Sequence, residues 1–350
     1  MSSSTSSSPH ASSPVPLRIG VLGTAKIARA FADGVRASGK VTVAAVASRD
    51  GERARSFARE TGIGRAHASY EALLADPAID AIYNPLPNSL HAEWSIRAAD
   101  AGKHVLCEKP LATSAREARA MFEAARRNGV HLVEAYPYRA QPQTRKLAEL
   151  LAAGRIGRVQ LVHASFGFPL AAPGNIRFDP ALAGGALMDA GCYPVSLVRM
   201  IAGARPVRVD AMAKWTDSGV DRTLVASLAF ASGLLAQVSC SFATYRHRRA
   251  LITGDAGSIA TTFLNDTSAA LPPVLELEYG EGTGKVRETI ETAAANGFRA
   301  EAEAFCDLVA HGREGWTGAT PEESIDIATT LEALAASARR GVAIDIPPDE

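Results

Sequence analysis

Short apolar runs alternate with amphipathic stretches along the first 140 residues. Residues 19–22 form an apolar run ending at Gly23, and residues 25–35 place apolar side chains at helical spacing. That reads as a strand, a tight turn and a helix. A second apolar run, 41–47, precedes a helical pattern over 52–61 with Gly62 behind it as a C-terminal cap. The same grammar predicts a helix at 70–74, a strand at 81–83, a helix at 90–101 and a strand at 104–107. Ser114 and Glu117 have capping-box spacing and open a helix to Arg127, before a strand at 130–134. Successive strand-helix units of this length build a doubly wound parallel sheet.

Beyond Arg139 the pattern changes. A helix at 144–152 leads into closely spaced strand patterns at 159–167, 207–214, 223–230, 234–242 and 275–279, and helical patterns return at 298–309 and 321–340. The fold class is therefore α/β: an N-terminal Rossmann-type sheet, then a C-terminal α+β domain on a large, mostly antiparallel open sheet. The expected divisions are a disordered tail at 1–16, a dinucleotide-binding domain at 17–138 and a substrate-binding and oligomerisation domain at 139–350. The tail carries eight serines and three prolines and has too little apolar surface to offset the entropy of ordering.

Composition narrows the function. Lys plus Arg and Asp plus Glu number 37 each, so there is no net field to attract polyanions, and nucleic-acid binding is not expected. The four cysteines stand far apart with no Cys-x-x-Cys pair, which argues for a reducing compartment and against structural zinc. No uninterrupted apolar run approaches the ~18 residues of a membrane span, and a cytoplasmic protein without a bound metal is expected.

The turn after the first strand reads Gly23, Thr24, Ala25, Lys26, Ile27, Ala28, a G-x-G-x-x-A pattern with Ala25 at the middle glycine. Gly23 permits the tight turn, Ala28 lets helix and strand approach, and the helix N-terminus offers free N–H groups to a pyrophosphate. About twenty residues on, an NAD site would carry Asp or Glu for the ribose hydroxyls. This chain has Ser48 and Arg49. A hydroxyl and a guanidinium suit a 2′-phosphate, so NADP is favoured over NAD. Asp50 is the competing acid, and Arg49 as a solvated loop residue is the plainer alternative.

Three further segments carry reactive groups: Pro85-Leu86-Pro87-Asn88-Ser89-Leu90-His91, Glu108-Lys109-Pro110, and Asp189-Ala190-Gly191-Cys192-Tyr193-Pro194. The first two fall at carboxyl ends of strands, where ligands of such sheets bind. In this order, and with Glu134-Ala135-Tyr136-Pro137-Tyr138-Arg139 at the domain junction, they resemble the Gfo/Idh/MocA oxidoreductase family. The Gly-Thr-Ala-Lys-Ile-Ala loop is most similar to the branch holding NADP-dependent D-xylose dehydrogenases and dimeric dihydrodiol dehydrogenases.

The resemblance implies that Lys109 lies beside the nicotinamide and the reacting carbonyl or hydroxyl, with Tyr193 as proton donor or acceptor and Asp189 as its partner. Pro85, Leu86, Asn88 and Glu108, at the carboxyl ends of their strands, are the expected cofactor contacts, His91 could contact cofactor or substrate, and Tyr136 and Arg139, at the crossover between domains where clefts form, are the expected substrate contacts. Hydride transfer needs a group that moves the hydroxyl proton and steadies the alkoxide, and a Lys among apolar neighbours can have its pKa lowered toward that task. Asp189 and Tyr193, four apart, share a face if helical, and Pro194 restricts that helix to starting nearby. The bland alternatives are a Glu108–Lys109 ion pair, a buried Tyr193 with a satisfied hydroxyl, and a capping or core His91. Arg246 to Arg249 reads as a solvated strand end, and Trp94 as core.

The activity implied is hydride transfer between NADP and a sugar, polyol or related cyclic diol or ketone. A trans-dihydrodiol dehydrogenase, a nucleotide-sugar ketoreductase and a catalytically silent NADP-binding regulator are the alternatives. The partners expected are a small carbohydrate or diol substrate and a second copy of the chain, with neither nucleic acid nor membrane.

Overall fold

The computed structural model describes residues 16–171, 174–280 and 282–348. The expected tail at 1–16 lies outside them except for Pro16. The N-terminal part runs β1 (Leu17–Leu22), α1 (Lys26–Val35), β2 (Val41–Ala47), α2 (Gly51–Thr61), β3 (Arg65–His67), α3 (Tyr70–Leu74), β4 (Ala81–Asn84), α4 (His91–Asp100), β5 (His104–Glu108), α5 (Ala115–Arg127) and β6 (Leu132–Ala135). It continues with α6 (Pro142–Ala152), β7 (Val159–Gly167), α7 (Cys192–Ala202), β8 (Arg208–Trp215), β9 (Asp221–Ala229), β10 (Leu235–Ser241), β11 (His247–Gly254), β12 (Gly257–Thr262), β13 (Val274–Tyr279), β14 (Val286–Glu291), α8 (Gly297–His311), α9 (Pro321–Arg340) and β15 (Ile344–Asp345).

The first sheet is wholly parallel, in the order β3-β2-β1-β4-β5-β6. The order reverses between β1 and β4, so the loops leaving those strands diverge and open a crevice at their carboxyl ends. Local chemistry sets the elements around it. On α1 the buried residues Ala28, Phe31, Ala32 and Val35 recur at one-face spacing, and the Phe31 ring stacks on Tyr83 of β4 at 3.9 Å. Asp50 caps α2 by accepting from the Glu52 and Arg53 amides, and Gly62 closes it in the left-handed region at φ 73°.

Among the described residues the second sheet has nine strands, ordered β14-β13-β12-β11-β7-β10-β9-β8-β15. Only β7 and β10 pair in parallel; every other neighbour is antiparallel. One face packs on α6, α7 and α9, with seven consecutive buried residues from Cys192 to Val198 on α7. The other face is open and carries Met212, Val225, Leu235 and Leu251 as exposed apolar side chains.

Five strands escape the periodicity argument: β3, β11, β12, β14 and β15. Strands β3, β14 and β15 are edge strands, β11 begins with a basic run that masks the inward alternation of Arg248, Ala250 and Ile252, and the interior strand β12 is a Gly, Ser and Thr-rich stretch with little apolar alternation. The apolar window within Pro180–Ala202 is long and hydropathic enough for a membrane span, unlike the uninterrupted runs counted above, yet 67% of it is buried inside the fold.

The chain also does not stay in the second unit after residue 139. Helix α8 returns to the first, where Phe298, Ala302, Phe305 and Leu308 share a core with Phe31, Val35 and Val41. Periodicity identifies a helix and its apolar face, but not the sheet that face will cover.

Candidate active site

The crevice between the sheets is lined from the first by the ends of β1, β4 and β5, and from the second by β7, β11 and the chain before α7. It forms a cleft of about 600 Å³ that includes Lys26, Glu108, Lys109, Asp189, Tyr193 and Arg248 among its walls. A second recess of about 550 Å³ lies beside it, formed by Gly23, Thr24, Ala25, Ser48, Arg49 and Pro85 with their neighbours. Ala25, Pro85 and Leu86 line both.

The phosphate-loop expectation can be tested on the backbone. Gly23 has φ +82°, and a Cβ there would meet Leu86 Cδ2 at 3.2 Å, so the turn is built for glycine. Helix α1 has no side-chain cap at Ala25, which leaves its first-turn N–H groups for a ligand. Ser48 Oγ accepts from the Asp50 amide, and the Asp50 carboxylate is occupied in capping α2. The competing acid therefore has a structural job, and although Asp50 also lines the recess, Arg49 and Arg53 stand beside it there and outnumber it. A positively charged recess beside free helix amides fits a phosphorylated dinucleotide.

Lys109 follows β5 and reaches across to the segment before α7. Its Nζ donates to the Asp189 carbonyl at 3.0 Å and to Oδ1 at 3.2 Å. Arg177 Nε donates to the other Asp189 oxygen at 2.6 Å. Residues 187–191 form a single π turn leading into α7, so Asp189 sits on the π turn while Tyr193, second residue of α7, lies in the helix's first turn directly before Pro194. The Lys109 ammonium stands 5.1 Å from the Tyr193 ring centre.

The electrostatics correct one expectation. Burial does oppose the Lys109 charge, but its acidic neighbours, Asp189 foremost, outweigh it and hold the ammonium above the usual lysine range. Lys109 is a permanent cation at neutral pH, not a depressed base. Burial likewise works to raise the Asp189 carboxyl, and Lys109 and Arg177 together hold it below its ordinary value. Burial pushes the Tyr193 phenol up to about 12, against the pull of Lys109 and Arg248. At neutral pH the phenol keeps its proton.

Glu108 is buried and accepts the Tyr83 hydroxyl at 2.6 Å; burial raises its carboxyl despite the neighbouring Lys109. His91 is fully enclosed, with Nδ1 2.8 Å from the Pro110 carbonyl and Nε2 2.7 Å from that of Leu86. Burial drives its pKa down to about 4 against the opposing pull of the two carbonyls, and a neutral imidazole, with a single N–H, donates to one of them. Asn88 donates to the Ala183 carbonyl at 2.9 Å, tying the β4 loop to the second unit. Trp94 packs edge-on to Tyr70, in the core as read.

Tyr136 and Arg139 do not reach the cleft wall. Tyr136 is buried behind it and donates to the Cys192 carbonyl at 3.3 Å. Arg139, 3% exposed, forms a two-armed ion pair with Glu323 of α9 at 2.8 and 3.1 Å. The residues at the crossover thus hold the two units together rather than face the substrate side.

Arg248 corrects the reading of 246–249 as a solvated strand end. It is buried, with its guanidinium 3.9 Å from the Tyr193 ring centre and within reach of the Phe166, Phe263 and Tyr138 rings. Burial lowers its pKa to about 10. Arg177 and Asn265 were also missed. Nothing in the local sequence marks either one; only the inward phase of β11 points to Arg248.

Comparison with known proteins agrees with this geometry. Residues 17–136 match a family model described as an oxidoreductase family with an NAD-binding Rossmann fold, and residues 144–260 match a GFO/IDH/MocA C-terminal domain. D-xylose 1-dehydrogenase (NADP(+)) 2 of Haloferax volcanii is 42% identical over 339 residues, covering 94% of this chain and all of that protein. Trans-1,2-dihydrobenzene-1,2-diol dehydrogenase of Danio rerio is 37% identical over 79% of this chain and 86% of its own length. A crystal structure of a 3-ketoreductase from Actinomadura kijaniata, in complex with NADP and TDP-benzene, superposes with a TM-score of 0.84 at 32% identity, covering 92% of this chain and 98% of that one. With both halves matched in order, the chain belongs to the Gfo/Idh/MocA family of oxidoreductases.

Proposed function

We propose that this protein is an NADP-dependent oxidoreductase that interconverts a hydroxyl and a carbonyl on a sugar, a polyol or a related cyclic diol. The observation that carries the reading is the meeting of Lys109, Asp189 and Tyr193 in a cleft that adjoins the Gly23 recess. Gly23, Thr24, Ala25, Lys26 and Ile27 would hold the pyrophosphate of the dinucleotide, and Ser48 and Arg49 its 2′-phosphate. When bound, NADP supplies or takes up the hydride.

The chain's own residues do the rest. Lys109, held charged by Asp189, sits where it can hydrogen-bond the substrate oxygen and stabilise the negative charge that grows on it. Tyr193 donates its proton to that oxygen in reduction and takes it back in oxidation. Arg177 holds the second Asp189 oxygen, so the carboxylate cannot swing away from Lys109. Phe166 and Phe168 give the cleft apolar walls, which suits the C–H faces of a sugar ring or a cyclic diol.

The open sheet face, with Met212 72% and Leu235 54% exposed, supports a homodimer formed by pairing that face with a second copy. Four free thiols, three of them buried, support placement in the reducing cytoplasm.

The test is a panel of aldoses, inositols and trans-dihydrodiols with NADP+, followed by nicotinamide absorbance, on the wild type, Lys109→Ala and Tyr193→Phe. At least one substrate should turn over, and each variant should lose about 10²–10⁴ in kcat. A flat panel, with NADP still bound, would instead favour a silent NADP-binding regulator.

A further inference from the structure

Arg248 is a cation buried without a carboxylate. It lies at the second position of β11, opposite Phe166 of β7, and points into the aromatic cluster around Tyr193. Among the described residues no acid comes within ion-pair range of it, and its Nε and Nη2 atoms have no hydrogen-bond partner. An uncompensated buried charge is costly, and a fold retains one where its field or its geometry is used.

One hydrogen bond of the Arg248 side chain is informative. Its Nη1 donates to Asn265 Oδ1 at 3.1 Å. Asn265 Nδ2 lies 2.9 Å from the Tyr193 hydroxyl. A guanidinium has donors only, so the end of the Asn265 amide that faces it must be the carbonyl oxygen. The end that faces Tyr193 must then be the NH₂ group, and the phenol oxygen accepts. Its own proton is thereby left to be donated elsewhere, and the cleft with Lys109 lies on that side.

We propose that Arg248 and Asn265 are positioning residues for Tyr193: Arg248 fixes the orientation of the Asn265 amide, and Asn265, by donating to the phenol oxygen, reserves the phenol proton for the substrate. This rests on the reading of Tyr193 as proton donor. In reduction the hydride joins the carbonyl carbon, the carbonyl π pair moves to oxygen, and that oxygen takes the Tyr193 proton. The O–H electron pair stays on Tyr193 as a phenolate, which the Asn265 N–H and the Arg248 charge then stabilise.

The pair predicts a reversal that a merely structural role does not. In Asn265→Asp the carboxylate still accepts from Arg248, but it must also accept from the phenol, so the proton is turned away from the cleft. We expect kcat for the best panel substrate to fall about 10- to 100-fold in Asn265→Asp with KM within about twofold. Arg248→Met should behave similarly, and Arg248→Lys should recover a substantial part of the loss.

A second measurement needs no turnover. The phenolate fraction of Tyr193 at a fixed alkaline pH is read from ultraviolet difference absorbance between each protein and the same protein carrying Tyr193→Phe. It should fall about tenfold in Arg248→Met and in Asn265→Asp relative to the wild type. Circular dichroism selects the variants that are folded; should Arg248→Met not fold, Asn265→Asp and Arg248→Lys still decide.

If Tyr193→Phe loses activity while Asn265→Asp and Arg248→Met keep both kcat and the phenolate fraction, the positioning role is wrong and the proton-donor reading stands. If Tyr193→Phe keeps near-normal kcat, the proton-donor reading is overturned, and the proposal with it.

Discussion

Lys109 and Asp189, eighty residues apart in the chain, meet across the junction of the two sheets, with Nζ 3.0 Å from the Asp189 carbonyl and 3.2 Å from its carboxylate. The contact joins the end of a strand in one sheet to a π turn packed on the central strands β7, β10 and β9 of the other. It makes the ammonium a fixed charge at the mouth of α7, and its removal should change both chemistry and stability.

Asp189→Asn leaves Lys109 and Arg177 facing a neutral amide. Burial then acts on the ammonium without its main opposing charge, so the Lys109 pKa should fall. The expected outcome is a new alkaline limb in kcat for the reducing direction, where activity declines as Lys109 deprotonates. Unfolding by denaturant should also show a loss of about 3–5 kcal/mol, the usual cost of removing one member of a buried pair. An unchanged pH profile would count against the electrostatic role of Asp189.

Tyr193 should impose opposite pH dependences on the two directions. With its phenol pushed up to about 12, the protonated form needed for reduction persists through the neutral range. Oxidation draws on the small deprotonated fraction, which grows with pH. For kcat/KM in the oxidising direction, where chemistry limits, the slope should approach about tenfold per pH unit, and Tyr193→Phe should flatten it. A wild-type profile flat from pH 7 to 10 would refute the assignment.

Cofactor choice is predicted to rest on Arg49. Arg49→Ala should weaken NADP binding by about 1–3 kcal/mol, the loss of a charge-assisted phosphate contact, and leave NAD binding nearly unchanged. Isothermal titration with both nucleotides checks this. Equal losses for both would show that Arg49 does not contact the 2′-phosphate.

Arg139 and Glu323 should matter for stability and not for substrate affinity. Burial works to raise the Glu323 carboxyl, but the Arg139 charge outweighs it and holds the carboxyl below its ordinary value. The folded state therefore releases the Glu323 proton more readily than the unfolded chain, where the carboxyl titrates near ~4.3. Its stabilising contribution is complete above that pH and is lost as pH falls through the lower folded value. Glu323→Gln should remove that component of acid sensitivity and lower Tm at pH 7, while KM for the substrate stays within about twofold. A large KM change would return Arg139 to the substrate side.

The open sheet face gives a further test. Met212→Glu together with Leu235→Glu places charges on the exposed apolar positions and should shift sedimentation from dimer to monomer without altering the far-ultraviolet spectrum. A wild-type protein that sediments as a monomer would remove the inference.

Much of this protein was legible in the chain because the relevant signals are local. The spacing of Ala28, Phe31, Ala32 and Val35 specifies a one-sided helix, and Gly23 at φ +82° meets a backbone demand that only the turn itself imposes. The absence of an acid where Ser48 and Arg49 stand is likewise a matter of short-range chain geometry. Tertiary packing decided what depends on distant partners. Whether Lys109 is a depressed base or a permanent cation turns on Asp189 and Arg177, contributed by another unit, since burial alone and burial with a counter-charge shift a pKa in opposite directions. Whether Arg139 faces substrate or Glu323, and which sheet α8 covers, are likewise long-range outcomes. Arg248 reads as one more charge in a basic run until β11 takes its register against β7. A period of two then turns that residue inward to Tyr193, and a shift of one residue would have left it in solvent.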